Sequence, residues 1–193
     1  MEPIAEKKKA IFESTLELVR ENGFHGTPMS MVAKHAGVAA GTIYHYFESK
    51  DKLICELFCY VQKQVISVVE RENCQTIPFR ECFFNLWFGL YGFYHTNPNV
   101  LKFFEQFVNS PFNAGRPSLE HDTFHQLLFS FFERGIAEGH LKQVSPKILG
   151  ILAHSNIVST AKIVASGRLA FEEAEIEQIP QILWDGMKAP NIT

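Results

Sequence analysis

The run Val32-Ala33-Lys34-His35-Ala36-Gly37-Val38-Ala39-Ala40-Gly41-Thr42-Ile43-Tyr44-His45-Tyr46-Phe47, VAKHAGVAAGTIYHYF, decides how the chain is read. Its periodicity predicts a short helix, a glycine where a sharp turn needs positive φ, and a second short helix. Small Ala33 and Ala36 let the two helices approach, and Val38, Ile43 and Phe47 supply apolar pegs. Thr42, His45 and Tyr46 are left facing out, with Tyr44 to one side. A helix-turn-helix makes these steric demands, because its second helix must enter a major groove about 12 Å wide while the first crosses the backbone. A helix this short spreads Tyr44, His45 and Tyr46 over more than one side, so a small helical core cannot absorb all three.

The flanks continue the helical reading. A first helix is expected from about Ala5 to Asn22, with Ile11, Ser14, Thr15, Leu18 and Val19 on one face and Gly23 as its left-handed stop. Thr27-Pro28 reads as a cap and first turn for a second helix over about Pro28 to Ala36, and the third covers about Ala40 to Phe47. Ser49 caps a long fourth helix carrying Leu53, Ile54, Leu57, Phe58 and Val61. After Pro78 comes an aromatic fifth helix to about His95, then a shorter sixth after the "TNPN" break at Thr96–Asn99. "NSPFNAGRPS" at Asn109–Ser118 reads as a loop, helix seven as about Ser118 to Gly139, and Pro146 opens helix eight. A final helix is expected around Glu172 to Met187, with Pro180 placed to break or restart it. No alternating segment argues for a sheet, so the expected fold is all-α with about nine helices.

In order and spacing, Ile11 through Gly23-Phe24, Thr27, Val32-Ala33, Ala36-Gly37-Val38, Gly41 through Phe47, Ser49-Lys50 and Leu53 resemble the N-terminal pattern of the TetR family of transcriptional regulators. The resemblance implies a helix-turn-helix DNA-binding domain over 1–50 and a ligand-binding and dimerisation domain over 51–193. It also implies roles residue by residue. Thr27 and Lys50 would bind phosphates, Gly41 would allow close approach, Thr42 and His45 would touch base edges or nearby phosphates, and Tyr44 and Tyr46 would pin the backbone. Two positions depart from the family's pattern: Ala39 stands where a hydroxyl residue is frequent and Ala40 where a longer polar one is. Ala40 is left with an apolar touch to a thymine methyl, and DNA shape makes up the difference.

Helices five to seven hold more aromatic area than a two-layer core needs, within a chain of 193 residues that has 18 phenylalanines. Phe83, Trp87, Phe88, Tyr91, Phe103, Phe107, Phe124, His125, Phe131 and Asn156 are therefore candidate liners of a pocket for a hydrophobic, aromatic or acyl-chain effector. The competing expectation for each is packed core. His121 and His125, one turn apart, have a chelating spacing but no further ligands in view, and His154 and Asn156 read as hydrogen-bonded polar groups on an apolar helix. No metal or cofactor is expected. Helix eight is apolar on more than one side. By the family resemblance, helices eight and nine would pair with their copies as a homodimer, through Ile151, Ser155, Val158, Ile179 and Leu183.

Composition bounds the rest. A net charge of −3 excludes a wholly basic nucleic-acid-coating surface. No apolar run is expected to reach membrane-spanning length and no secretory leader is legible, which points to a cytoplasmic protein. Cys55, Cys59, Cys74 and Cys82 form no CxxC pair, and Cys55 and Cys59 fall one turn apart in an apolar pattern that suggests buried or half-buried free thiols, with redox sensing or metal binding as the alternative. No catalytic triad, metal quartet or phosphate loop supports an enzyme. The expected function is a repressor released from palindromic double-stranded operator DNA by a hydrophobic small molecule. The alternative is a helical small-molecule-binding or scaffold protein that no longer reads DNA specifically.

Overall fold

The computed structural model of the chain describes residues 6–72, 76–114 and 122–190, so Cys74 and His121 lie outside it. The described residues form nine α-helices and no strands: α1 (Glu6–Asn22), α2 (Met29–His35), α3 (Ala40–Tyr46), α4 (Lys50–Glu72), α5 (Phe79–Thr96), α6 (Pro98–Val108), α7 (Thr123–Ala137), α8 (Pro146–Ser166) and α9 (Glu173–Met187). One 3-10 turn, Pro111–Asn113, follows α6.

The helices fall into two compact units, Met1–Val61 with Asn99–Arg116, and Gln62–Pro98 with Pro117–Thr193. This is a spatial division: the first half of α4 and nearly all of α6 belong to the first unit.

In the first unit, α1 buries Ile11, Phe12, Leu16, Leu18 and Val19 on one stripe. Buried Thr15 satisfies its hydroxyl by donating to the Ile11 carbonyl at 2.6 Å. Gly23, at φ 69°, ends the helix in the left-handed conformation, and its N–H donates to Val19 O at 2.9 Å. Phe12 stacks on Tyr60 at 4.9 Å and leans on Phe47 at 5.4 Å, which ties α1 to α4 and to the end of α3. From α6, Phe103 meets Phe24 edge-on at 5.7 Å and Phe107 stacks on Phe58 at 4.3 Å, while Gln106 Nε2 donates to Val19 O at 3.0 Å.

In the second unit, α8 packs against both α5 and α7. Close approach is paid for in side-chain volume: a Cβ on Gly135 would stand 2.2 Å from Phe79 Cζ, and one on Gly150 would stand 2.9 Å from Phe129 Cδ1. Phe79, Phe83 and Phe84 surround Trp184 of α9, with centroids 5.3–6.4 Å away.

Four expectations need correction here. α7 starts at Thr123 rather than Ser118, because Asp122 is extended and caps the helix, its Oδ1 accepting from His125 N at 3.3 Å. Thr27 caps nothing: the residue before α2 is Pro28, and the Thr27 hydroxyl turns inward to donate to Gly23 O at 2.8 Å. Pro180 neither breaks nor restarts α9, which runs unbroken from a Glu172–Glu175 capping box. Finally, α8 is by length and composition long and apolar enough to cross a membrane, although only a third of its most apolar stretch is buried within the chain. Its polar residues, His154 and Asn156 among them, are too few to lower its hydropathy as expected.

Candidate functional site

The turn between α2 and α3 closes through backbone bonds. Val38 N donates to Ala33 O at 3.0 Å and Gly37 N to Lys34 O at 3.3 Å, with Gly37 at φ 65°. No side chain caps α3, as expected of Ala39. Ile43 and Phe47 are fully buried and fix the helix, leaving Ala40, Gly41, Tyr44 and His45 exposed and Thr42 and Tyr46 half-buried. His45 and Tyr46 rings meet edge-on at 5.8 Å. Nothing lies within 4 Å of where a Gly41 Cβ would stand, so the bare backbone there faces open space. Ala40, Gly41, Thr42, Tyr44, His45 and Tyr46, all expected at the DNA, are thus brought onto one short helix.

Thr27 and Lys50 behave differently from expectation. Thr27, 2% exposed and engaged with Gly23 O, has no hydroxyl free for a phosphate. Lys50, half-buried, donates from Nζ to the Phe24 carbonyl. Burial lowers its pKa, opposed by the adjacent Asp51 carboxylate. An ammonium has three protons, so the bond to Phe24 orients Lys50 without exhausting it. Lys8, which the sequence motif does not single out, reaches Glu56 at 2.7 Å and lies over the Phe12 and Phe47 rings at 5.7 and 5.4 Å. Two other basic side chains nearby also face carboxylates: His35 stands 3.5 Å from Glu17, and Lys52 3.8 Å from Glu56.

The expected pocket liners divide between the units. Phe103 and Phe107 belong to the first, packed on Phe24 and Phe58, and so are core of that unit. In the second unit Phe83, Trp87, Phe124 and Phe131 are buried, Tyr91 is half-buried, and Phe88 is 37% exposed. Phe131 stacks on Phe79 at 4.9 Å, and Trp87 on Tyr91 at 5.3 Å.

Polar groups among them are matched across helices. Trp87 Nε1 donates to Asn156 Oδ1 at 2.9 Å, and the Tyr94 hydroxyl bonds His154 Nε2 at 3.1 Å, both from α5 to α8. His125 Nδ1 donates to Asp122 Oδ1 at 2.9 Å, and Gln62 Nε2 to Asp122 Oδ2 at 2.5 Å. Burial raises the Asp122 pKa, but these bonds outweigh it and hold the carboxyl below its usual range. Burial, aided by His125, lowers His154 to about 4, so it is neutral at pH 7. Burial raises the Tyr91 and Tyr94 hydroxyls. His154 and Asn156 are the satisfied polar groups the sequence predicts. Tyr94 joins this polar set without being singled out by the sequence, because its signal is weak: one hydroxyl in a helix already crowded with aromatics.

An open groove of about 520 Å³ lies along α8 and α9, lined by Ile148, Leu149, Leu152, Ile179, Leu183 and Met187 among others. It includes Asn156, a predicted pocket residue, and Ile179 and Leu183, predicted interface residues. Ile151, 38% exposed, and Ser155 stand on the outer side of α8, and Val158 is half-buried. Ile148, Leu152 and Ile182 add exposures of 55%, 53% and 72% to this face.

Residues 11–57 match the family described as bacterial regulatory proteins, tetR family, and residues 78–188 match the tetracyclin repressor-like C-terminal domain. An uncharacterised HTH-type transcriptional regulator of Haemophilus influenzae is 34% identical over 101 residues, 52% of this chain and 54% of the relative's length, so the chain spans about half of that protein. A TetR family regulator from Marinobacter aquaeolei superposes with a TM-score of 0.84 at 24% identity, over 95% of this chain and 96% of that one. The regulator FadR of Bacillus subtilis, solved with stearoyl-CoA, superposes with a TM-score of 0.68 at 19% identity, over 92% and 95%. With a reading helix presented on a buried two-residue anchor and a C-terminal match covering more than half its length, this chain belongs to the TetR family of helix-turn-helix transcriptional regulators.

Proposed function

We propose that the protein is a cytoplasmic, homodimeric repressor that leaves a palindromic operator when a hydrophobic small molecule binds its second unit. The observation carrying this reading is the joint exposure of Ala40, Gly41, Tyr44 and His45 on a helix anchored by fully buried Ile43 and Phe47. Such a helix can enter a major groove as a rigid edge. Gly41 lets the backbone approach, Thr42 and His45 touch base edges, Ala40 meets a thymine methyl, and Tyr44, Tyr46 and Lys50 hold phosphates. Thr27 positions this site through Gly23 and does not touch DNA. Functionally the reading head remains residues 1–50 and the responsive body 51–193.

The apolar face of α8 and α9 supports pairing with a second copy, through Ile151, Ser155, Val158, Ile179 and Leu183. A twofold dimer places two α3 helices on half-sites about one helical turn or somewhat more apart. The effector is an acyl-chain compound, a class supported by the stearoyl-CoA held by the B. subtilis FadR of the same fold. It enters among Trp87, Tyr91, Phe124 and His125 by parting packed aromatics, with Asn156 and His154 as polar handles. An effector that binds better to the form with wrongly spaced heads shifts the dimer off DNA by its differential affinity.

Selection of bound fragments from genomic DNA, followed by footprinting, tests the reading. A two-half-site palindrome released by long-chain acyl-CoA and unaffected by free CoA is expected. Recovery of unrelated fragments with no shared sequence contradicts operator reading. A palindrome that no acyl compound releases contradicts the effector class alone.

A further inference from the structure

Cys55 and Cys59 are both exposed, whereas Cys82 is buried with its sulfur 3.7 Å from the Ile77 carbonyl. The apolar pattern around the first pair predicts burial. α4 instead turns Leu53, Ile54, Leu57, Phe58 and Val61 inward and leaves both thiols on its outer face. Two residues four apart on a helix stand with Cβ atoms about 5–6 Å apart. That separation is too long for a disulfide, whose Cβ atoms lie about 3.5–4.5 Å apart. It suits a bridge in which one metal ion sits between two sulfurs, with metal–sulfur bonds of about 2.3 Å.

The number of ligands selects the ion. Among the described residues, no group of three or more His, Cys, Asp or Glu is placed to hold a metal. Glu56, the carboxylate nearest in sequence, is engaged by Lys8 at 2.7 Å and Lys52 at 3.8 Å. Two sulfurs alone do not complete the tetrahedral shell of zinc. They do complete the linear shell of a soft, monovalent d10 ion, for which thiolates are the preferred ligands.

We propose that Cys55 and Cys59 form a two-thiolate site for Cu(I) on the outer face of α4. Binding converts Cu⁺ and two thiols into a bis-thiolate complex of single negative charge and releases two protons to solvent, with no change of oxidation state. Lys52, exposed and three residues before Cys55, lies on the same side of the helix, with its ammonium 3.8 Å from Glu56.

The test titrates the reduced, full-length protein under anaerobic conditions with Cu(I) held by a coloured chelator, following transfer as loss of the chelator's colour. One Cu(I) per chain is expected for the wild type and for Cys74→Ser, and none for Cys55→Ser or Cys59→Ser, all with wild-type helicity by circular dichroism. Failure of the wild type to take Cu(I), transfer that survives loss of either Cys55 or Cys59, or transfer abolished by Cys74→Ser would each overturn the assignment.

Discussion

Gly37 and Gly41 stand four residues apart, and neither has anything within 4 Å of where a Cβ would stand. Space is therefore not what distinguishes them. Gly37 holds φ 65°, a left-handed conformation that costs an L-residue roughly 1–2 kcal/mol, so Gly37→Ala destabilises the fold by about that amount in urea unfolding. Gly41 has ordinary helical geometry, and Gly41→Ala stabilises α3 by up to about 1 kcal/mol. If the bare backbone at Gly41 serves close approach to DNA, the same variant loses operator affinity while gaining stability. Stability and affinity moving together would contradict that role. Both glycines are legible in the sequence as turn and reading helix. The inward turn of Thr27 is not, because the dipeptide Thr-Pro is equally consistent with a cap, and only the tertiary path of Gly23 decides which oxygen its hydroxyl faces.

Single elements show where periodicity reaches its limit. The spacing of α6 predicts a helix with an apolar face but does not name the partner of that face, and Phe103 and Phe107 pack with Phe24 and Phe58 in the first unit. α9 keeps Pro180 because the capping box and the buried side of the proline hold the helix around it. α8 carries a pH dependence of its own. His154 titrates at about 4 in the folded chain, against 6.5 ordinarily, so the unfolded chain binds the proton first as pH falls. The stabilisation from keeping His154 neutral is intact above about pH 6.5, declines on acidification, and is exhausted below about pH 4. Its full size is on the order of 3 kcal/mol. His154→Gln, which preserves a hydrogen-bonding partner for Tyr94, should flatten the fall in urea midpoint between pH 7 and 4.5. An unchanged profile would remove His154 as its source.

For the whole molecule, the face that α8 and α9 leave open matters most. Ile148, Leu152 and Ile182 are all more than half exposed along the groove, and a contiguous exposed apolar face of this kind marks an interaction surface. Pairing of this face with a second copy predicts that Leu152→Arg weakens self-association at least about tenfold in sedimentation equilibrium, with helicity unchanged. A variant that remains as dimeric as the wild type would place the interface elsewhere. The all-round apolarity of α8 announces this face in the sequence, and residues 32–47 announce the reading head. An effector site among the aromatics is less legible, since aromatic spacing is the same in a pocket and in a packed core.

Fluorescence anisotropy on the selected operator and on a shuffled duplex tests most directly whether α3 reads base sequence. The wild type should prefer the operator at fixed salt. Thr42→Ala combined with His45→Ala should erase most of that preference, at about 1–3 kcal/mol for each base-reading side chain removed, while leaving affinity for the shuffled duplex nearly unchanged. Equal wild-type affinity for both duplexes, or a double variant that keeps the full preference, would contradict the account.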